Sequence, residues 1–181
     1  MNSDFKAGFT RLLRSFDENP DDVVQLTRAF GLATKVLKGQ SVNKDEHYIN
    51  HSLRVALILA EELKMRDTAL VCAALLHDAQ IPNDELKEFG ERIYSILRAI
   101  DSWANEKTSE EYFANMTKAS KDIKYIKLAE RLDDIRGMKG QGFKDKVIRY
   151  KEETQKYVVP IASATDDRLA FKLSVALYEL K

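Results

Sequence analysis

Three short stretches of this chain carry side chains that could hold a divalent cation. His77 and Asp78 stand side by side at the end of the apolar run Leu70-Val71-Cys72-Ala73-Ala74-Leu75-Leu76. Burying an imidazole next to a carboxylate costs several kcal/mol unless a cation or a full set of hydrogen bonds compensates. His51 lies upstream in Tyr48-Ile49-Asn50-His51, and Glu130 downstream in Lys127-Leu128-Ala129-Glu130-Arg131-Leu132. Two imidazoles and two carboxylates form a mixed nitrogen and oxygen donor set. It suits Mn²⁺, Fe²⁺ or Zn²⁺ better than a thiolate-loving metal. Such a set leaves positions open for water and a phosphate oxygen, the arrangement that metal-assisted phosphoryl hydrolysis needs. The alternative reading of His77-Asp78 is an ordinary helix C-terminus, where histidine complements the last carbonyls.

The elements that must position these residues are helical. Seven glycines and three prolines among 181 residues leave few breaks, and apolar spacing is helical almost throughout. Phe5, Phe9, Leu12, Leu13 and Phe16 form one helix face ahead of Asn19-Pro20. Asp21 or Asp22 can cap a second helix with Val24, Leu26, Ala29, Phe30, Ala33 and Leu37 inside. Gln40 to His47 reads as a polar loop. A third helix is expected from about Ile49 to Met65. A fourth, capped by Asp67, runs through the buried stretch to His77, and a fifth, capped by Asn83, carries Leu86, Phe89, Ile93, Ile96, Leu97 and Ile100. A short element near Ser109 precedes a helix over Asp122 to Met138. The stretch Phe143 to Leu180 reads as one or two helices divided near Pro160, because proline kinks or ends a helix. The fold class is all-α, a single helical bundle, with residues 1–20 as an accessory helix and 21–181 as the main domain.

Composition narrows the function. With 29 basic and 29 acidic residues the formal net charge is zero, so nothing draws the chain generally to nucleic acid or an anionic membrane. The single cysteine, Cys72, sits in the apolar run and makes no intrachain disulfide, which suits a reducing cytoplasm. No apolar run reaches membrane-spanning length, and the N-terminus lacks a signal-peptide pattern. A soluble cytoplasmic protein is expected, with oligomerisation possible.

The ordered blocks Tyr48-Ile49-Asn50-His51-Ser52-Leu53-Arg54-Val55-Ala56, Ala73-Ala74-Leu75-Leu76-His77-Asp78 and Ile126-Lys127-Leu128-Ala129-Glu130-Arg131-Leu132 resemble the HD-domain hydrolases. More narrowly they are similar to the hydrolase domain of the RelA/SpoT alarmone enzymes. Gly39-Gln40 and Glu153-Thr154-Gln155-Lys156-Tyr157-Val158-Val159-Pro160-Ile161-Ala162 extend the likeness to nearly the whole chain. The resemblance implies metal ligands His51, His77, Asp78 and Glu130, with Mn²⁺ as the favoured ion and Fe or Zn as alternatives. It implies a pyrophosphohydrolase that removes the 3′-pyrophosphate of ppGpp or a related nucleotide. With no synthetase half expected after Lys181, any alarmone role would be degradation only. His77 and Asp78 would serve catalysis. Lys44, Tyr48, Arg131, Asp134 and Arg136 would face the substrate.

Two departures stand out. Glu130 replaces the family's Asp, adding a methylene. Where the family follows His-Asp with a Glu-Asp pair that handles the attacking water, this chain has Ile81 and Pro82. Asp84 and Glu85 could reach back, although first-turn acids are ordinary partners of a helix N-terminus. Two alternatives stay open on this ground: hydrolysis of another nucleotide phosphate, or a catalytically weak HD protein that binds a nucleotide or a partner protein.

Overall fold

The computed structural model describes residues 3–38, 41–43, 46–103, 108–139 and 144–180. It falls into two compact units, residues 1–102 and 103–181. Both are helical, as the apolar spacing predicts.

The first unit is organised around a buried helix. Its elements are α1 (Ser3–Arg14), α2 (Pro20–Val36), α3 (Tyr48–Leu57), α4 (Thr68–Leu76), α5 (Asn83–Lys87) and α6 (Glu91–Ser102). Every residue of α4 from Leu70 to Leu76 is buried, the signature of a helix enclosed on all sides. It packs against α2, α3 and α6. Asp67 caps it as expected, accepting from the Leu70 N–H at 3.1 Å. The same carboxylate takes both Arg92 nitrogens, at 3.1 and 2.7 Å, and so ties the start of α4 to α6. α1 packs on α3, and Phe9 stacks on Phe30 of α2 with ring centroids 3.8 Å apart. Phe5, Leu12 and Phe16 of this first segment are buried.

Several local expectations give way to tertiary detail. Asn19 caps α2, accepting from the Asp21 N–H at 3.1 Å with Pro20 in the first turn; Asp21 and Asp22 are first-turn acids instead. Val24 is 57% exposed, outside the face assigned to it. The third helix changes pitch into a wide π-helical turn over Ile58–Glu62, with the Leu63 N–H bonded to Ile58 O at 3.0 Å. It ends at Lys64, whose φ of 56° is the left-handed exit common after helices. The fifth helix is two helices, because Gly90 takes a φ of 99° that breaks the run. Pro82 occupies the cap position of α5, and Asn83 is its first residue. Within the expected loop, Ser41–Asn43 and Glu46–His47 pair as a short antiparallel ribbon, β1 and β2.

The second unit contains α7 (Ser109–Lys118), α8 (Lys121–Gly137), α9 (Lys144–Glu153), α10 (Val159–Ser163) and α11 (Asp167–Glu179). α7 opens with a reciprocal capping box between Thr108 and Glu111. α8 is the buried centre, contacting α7 and α11. Pro160 does not divide the final stretch. A π-helical turn over Thr154–Val158 joins α9 to α10, which takes Pro160 in its first turn, where a missing N–H breaks no bond. The true break falls at Asp166, which caps α11 by accepting from the Arg168 N–H at 2.9 Å.

Candidate metal centre

The first unit brings His51, His77 and Asp78 together. One potential ligand atom from each lies within 4.8 Å of the others. Asp78 Oδ2 is 3.4 Å from His77 Nε2 and 3.9 Å from His51 Nε2. The two imidazoles approach at 5.5 Å between centroids, inclined at 58°. The His77 side chain is 1% exposed, His51 10% and Asp78 24%, so the cluster is buried on the imidazole side and open at the carboxylate.

Each side chain is aimed by its element. His51 sits in the first turn of α3, and the adjacent Ser52, fully buried, places its Oγ 3.5 Å from Asp78 Oδ2. His77 caps the C-terminal end of α4, and its Nδ1 lies 2.7 Å from Ala74 O. A carbonyl only accepts, so Nδ1 carries a proton, and Nε2 is the nitrogen turned toward Asp78. That is how ligand histidines are usually oriented, by a backbone acceptor on the far nitrogen. Among the described residues, no lysine or arginine pairs with Asp78. Two imidazole nitrogens and one carboxylate, held this way, are a donor set that fits a borderline divalent cation.

The loop after Asp78 carries Ile81 and Pro82, as read from the sequence. Ile81 is 4% exposed, and its carbonyl accepts from Arg98 Nη2 at 3.1 Å. Asp84 is exposed in the first turn of α5, and Glu85 faces Lys35 of α2 at 3.5 Å. Neither joins the three-residue cluster.

The second unit holds the downstream residues in a polar knot of its own. Glu130 pairs with Lys127 one turn earlier on α8, both side chains largely buried at 22% and 14% exposure. Burial disfavours the Lys127 ammonium, but Glu130 and Tyr112 outweigh it, and the group is held above the ordinary lysine range. Arg131 lies over the Tyr150 ring at 3.8 Å and the Phe113 ring at 5.5 Å. Its Nη1 is 3.4 Å from Thr154 Oγ1 and 3.9 Å from Glu153. Tyr150 donates its hydroxyl to Asp134, and burial first, then the Asp134 charge, pushes that phenol far up. Tyr112, Lys127, Glu130, Arg131, Asp134 and Tyr150 are among the residues that line a cavity of about 40 Å³. Arg136 is exposed in the last turn of α8. Lys44 falls outside the described residues, as does the Tyr48 side chain.

Three contributors were not singled out from the sequence. Ser52 is legible only as a small polar residue on an otherwise buried face. Tyr150 and Lys127 gave no local signal, because their partners are a helix away or depend on which face of α8 is buried.

A family model described as HD domain matches residues 29–166. The chain belongs to the HD-domain family. It is 34% identical over 128 residues, 65% of its length, to 18% of a guanosine-3′,5′-bis(diphosphate) 3′-pyrophosphohydrolase of Aquifex aeolicus. It is 33% identical over 99 residues, 50% of its length, to 55% of the Drosophila melanogaster pyrophosphohydrolase MESH1. The chain thus spans between about a fifth and just over half of these relatives. Its fold matches a solved structure of a metazoan ortholog of SpoT, described as hydrolysing ppGpp and acting in starvation responses. The TM-score is 0.75 at 23% identity, over 86% of this chain and 94% of that one. No helix among the described residues is long and apolar enough to cross a membrane.

Proposed function

We propose that this HD-domain chain is a metal-dependent nucleotide phosphohydrolase of the ppGpp 3′-pyrophosphohydrolase kind, working in the cytoplasm. The observation that carries the reading is the cluster of His51, His77 and Asp78, with His77 held by Ala74 so that Nε2 turns toward Asp78. Its relatives named for ppGpp hydrolysis support the substrate class. Glu130 is the proposed fourth ligand, and Mn²⁺ the proposed ion, with Fe or Zn as alternatives. When bound, such an ion supplies Lewis-acid polarisation of a phosphoryl oxygen and an acidified water.

The chain's own residues do the rest. The buried imidazoles exclude bulk water from one side of the cluster, while Asp78, the most exposed of the three, faces the opening. Ser52 steadies the Asp78 carboxylate by hydrogen bonding. Arg131, Arg136 and Lys44 are the proposed phosphate partners; Tyr48 and Asp134 are the proposed nucleotide contacts. His77 and Asp78 are the residues on which turnover depends, with Asp84 and Glu85 proposed as distant helpers in water handling.

One observation favours a second reading. Ile81 is buried where the family carries an acid, and Glu85 is engaged by Lys35. General-base help is worth about 10²–10⁴-fold, so turnover of ppGpp is expected to be slow, or the preferred substrate to be another nucleotide phosphate. The test is incubation of Mn²⁺-loaded protein with ppGpp and a panel of nucleotides, scored for pyrophosphate and orthophosphate. Pyrophosphate from ppGpp, absent in His77→Ala/Asp78→Ala, carries the first reading. Orthophosphate from other nucleotides alone carries the second. Binding without turnover under any of the three metals overturns both.

A further inference from the structure

Among the described residues, the large apolar side chains left exposed are Val24, Ile148, Phe171, Val175 and Tyr178. Three of these belong to α11, at i, i+4 and i+7, and so form a single stripe along one helix face. Phe171 is 70% exposed, Val175 41% and Tyr178 82%. The opposite face of the same helix, carrying Leu169, Leu173, Ala176 and Leu177, is buried in the second unit. α11 therefore presents apolar surface on two sides, only one of which its own unit uses. Scattered exposed apolar residues need no explanation, whereas a contiguous stripe rimmed by charge marks an interaction surface.

The rim says what fits there. Lys172 follows Phe171 and Glu179 follows Tyr178, seven residues apart, so both lie on the same flank of the stripe. A flank that is positive toward one end and negative toward the other is complementary to itself when two helices run antiparallel, because the same flanks then meet. We propose that α11 pairs antiparallel with α11 of a second copy of this chain, about a two-fold axis near Ser174 and Val175. Phe171 of one copy then meets Tyr178 of the other, and Lys172 meets Glu179 in two reciprocal pairs. Both Lys172 and Glu179 have contacts within their own chain, Glu179 with Lys139 at 3.3 Å where both side chains are more than half exposed, and such surface pairs exchange at little cost.

One helix face is small against the roughly 800 Å² per partner of a standard interface. The dimer is therefore weak, with a dissociation constant on the order of 10⁻⁵ M or above. Sedimentation velocity over a concentration series tests this on the full chain. The wild type is expected to pass from monomer to dimer, and Phe171→Ser/Tyr178→Ser to remain monomeric with unchanged helicity and melting temperature. Lys172→Glu and Glu179→Lys are each expected to weaken association about tenfold, and the combined Lys172→Glu/Glu179→Lys variant to restore it. A wild type monomeric at every concentration overturns the proposal, as does a dimer indifferent to Phe171→Ser/Tyr178→Ser. A combined charge swap that fails to restore association overturns the antiparallel register.

Discussion

The two units each bury a polar cluster, and they balance it in opposite ways. In the second, acids have partners from within. Glu130 has Lys127, Asp134 has the Tyr150 hydroxyl, and Glu153 has Arg131 and Ser109. In the first, Asp78 is surrounded by two imidazoles and a serine hydroxyl. Among the described residues no lysine or arginine pairs with that carboxylate, which leaves its open side facing the two imidazole nitrogens. A buried carboxylate thus belongs to a structural knot in one place and to a candidate metal centre in the other. What separates them is the neighbouring cation, which a motif pattern leaves out.

The largest effect is expected where that difference is abolished. His77→Ala/Asp78→Ala should lower hydrolysis by more than about 100-fold. Chelation should lower the melting temperature of metal-loaded wild type, since a ligand of the native state stabilises it, and leave the variant's unchanged. Scanning calorimetry with and without chelator checks this. A variant that keeps the chelator-sensitive shift would sink the three-residue centre.

Next is the second unit's knot. Arg131→Met removes the guanidinium stacked on Tyr150 and leaves Glu153 without its ion pair, with an expected loss of about 2–4 kcal/mol in urea unfolding. Metal content, read by elemental analysis, should be nearly unchanged. Glu130→Gln lies across the comparison, since Glu130 belongs to the knot and is also the proposed fourth ligand. It should cost about 1–3 kcal/mol of stability through Lys127 and weaken metal retention about tenfold. A stability loss with undiminished metal retention would assign Glu130 to the knot alone.

The smallest effect concerns pH. Asp166, with Arg168 bonded to it, is lowered to about 2 although burial opposes the shift. A carboxyl depressed in the folded state adds stability above its unfolded pKa of about 3.9, and that contribution disappears as pH falls through the folded value. Urea midpoints of wild type and Asp166→Asn should therefore converge between about pH 4 and pH 2. Parallel curves across that window would show that Asp166 acts only as a helix cap.

Much of this was legible from residue types alone. The all-α fold, the Asp67 cap and the buried α4 follow from periodicity and capping chemistry, whereas the grouping of His51 with His77-Asp78 rests on the family resemblance. The misses share a physical cause. Gly90 and Pro160 carry opposite lessons. A glycine inside a periodic run took a positive φ and broke the helix, while a proline expected to break one sits in a first turn behind a π-helical turn. Neither outcome is set within the segment, because packing decides which strain is tolerated. Val24 and the Asn19 cap shifted by one turn or less, the scale on which local rules compete. The aromatic cradle of Arg131 joins α7, α8 and α9, and no window along the chain contains it.

Cys72 lies fully inside α4, and burial, with a smaller push from the Asp22 charge, raises its thiol to about 12. Its thiolate fraction in the folded first unit is negligible at neutral pH, so thiol reagents register that unit only when it opens. The only tryptophan, Trp103, belongs to the other unit, edge-on to Tyr112 at 5.7 Å. The chain therefore carries one native reporter in each half. Alkylation and indole emission, followed through one denaturant titration, will register whether the halves melt as a single cooperative block or in succession.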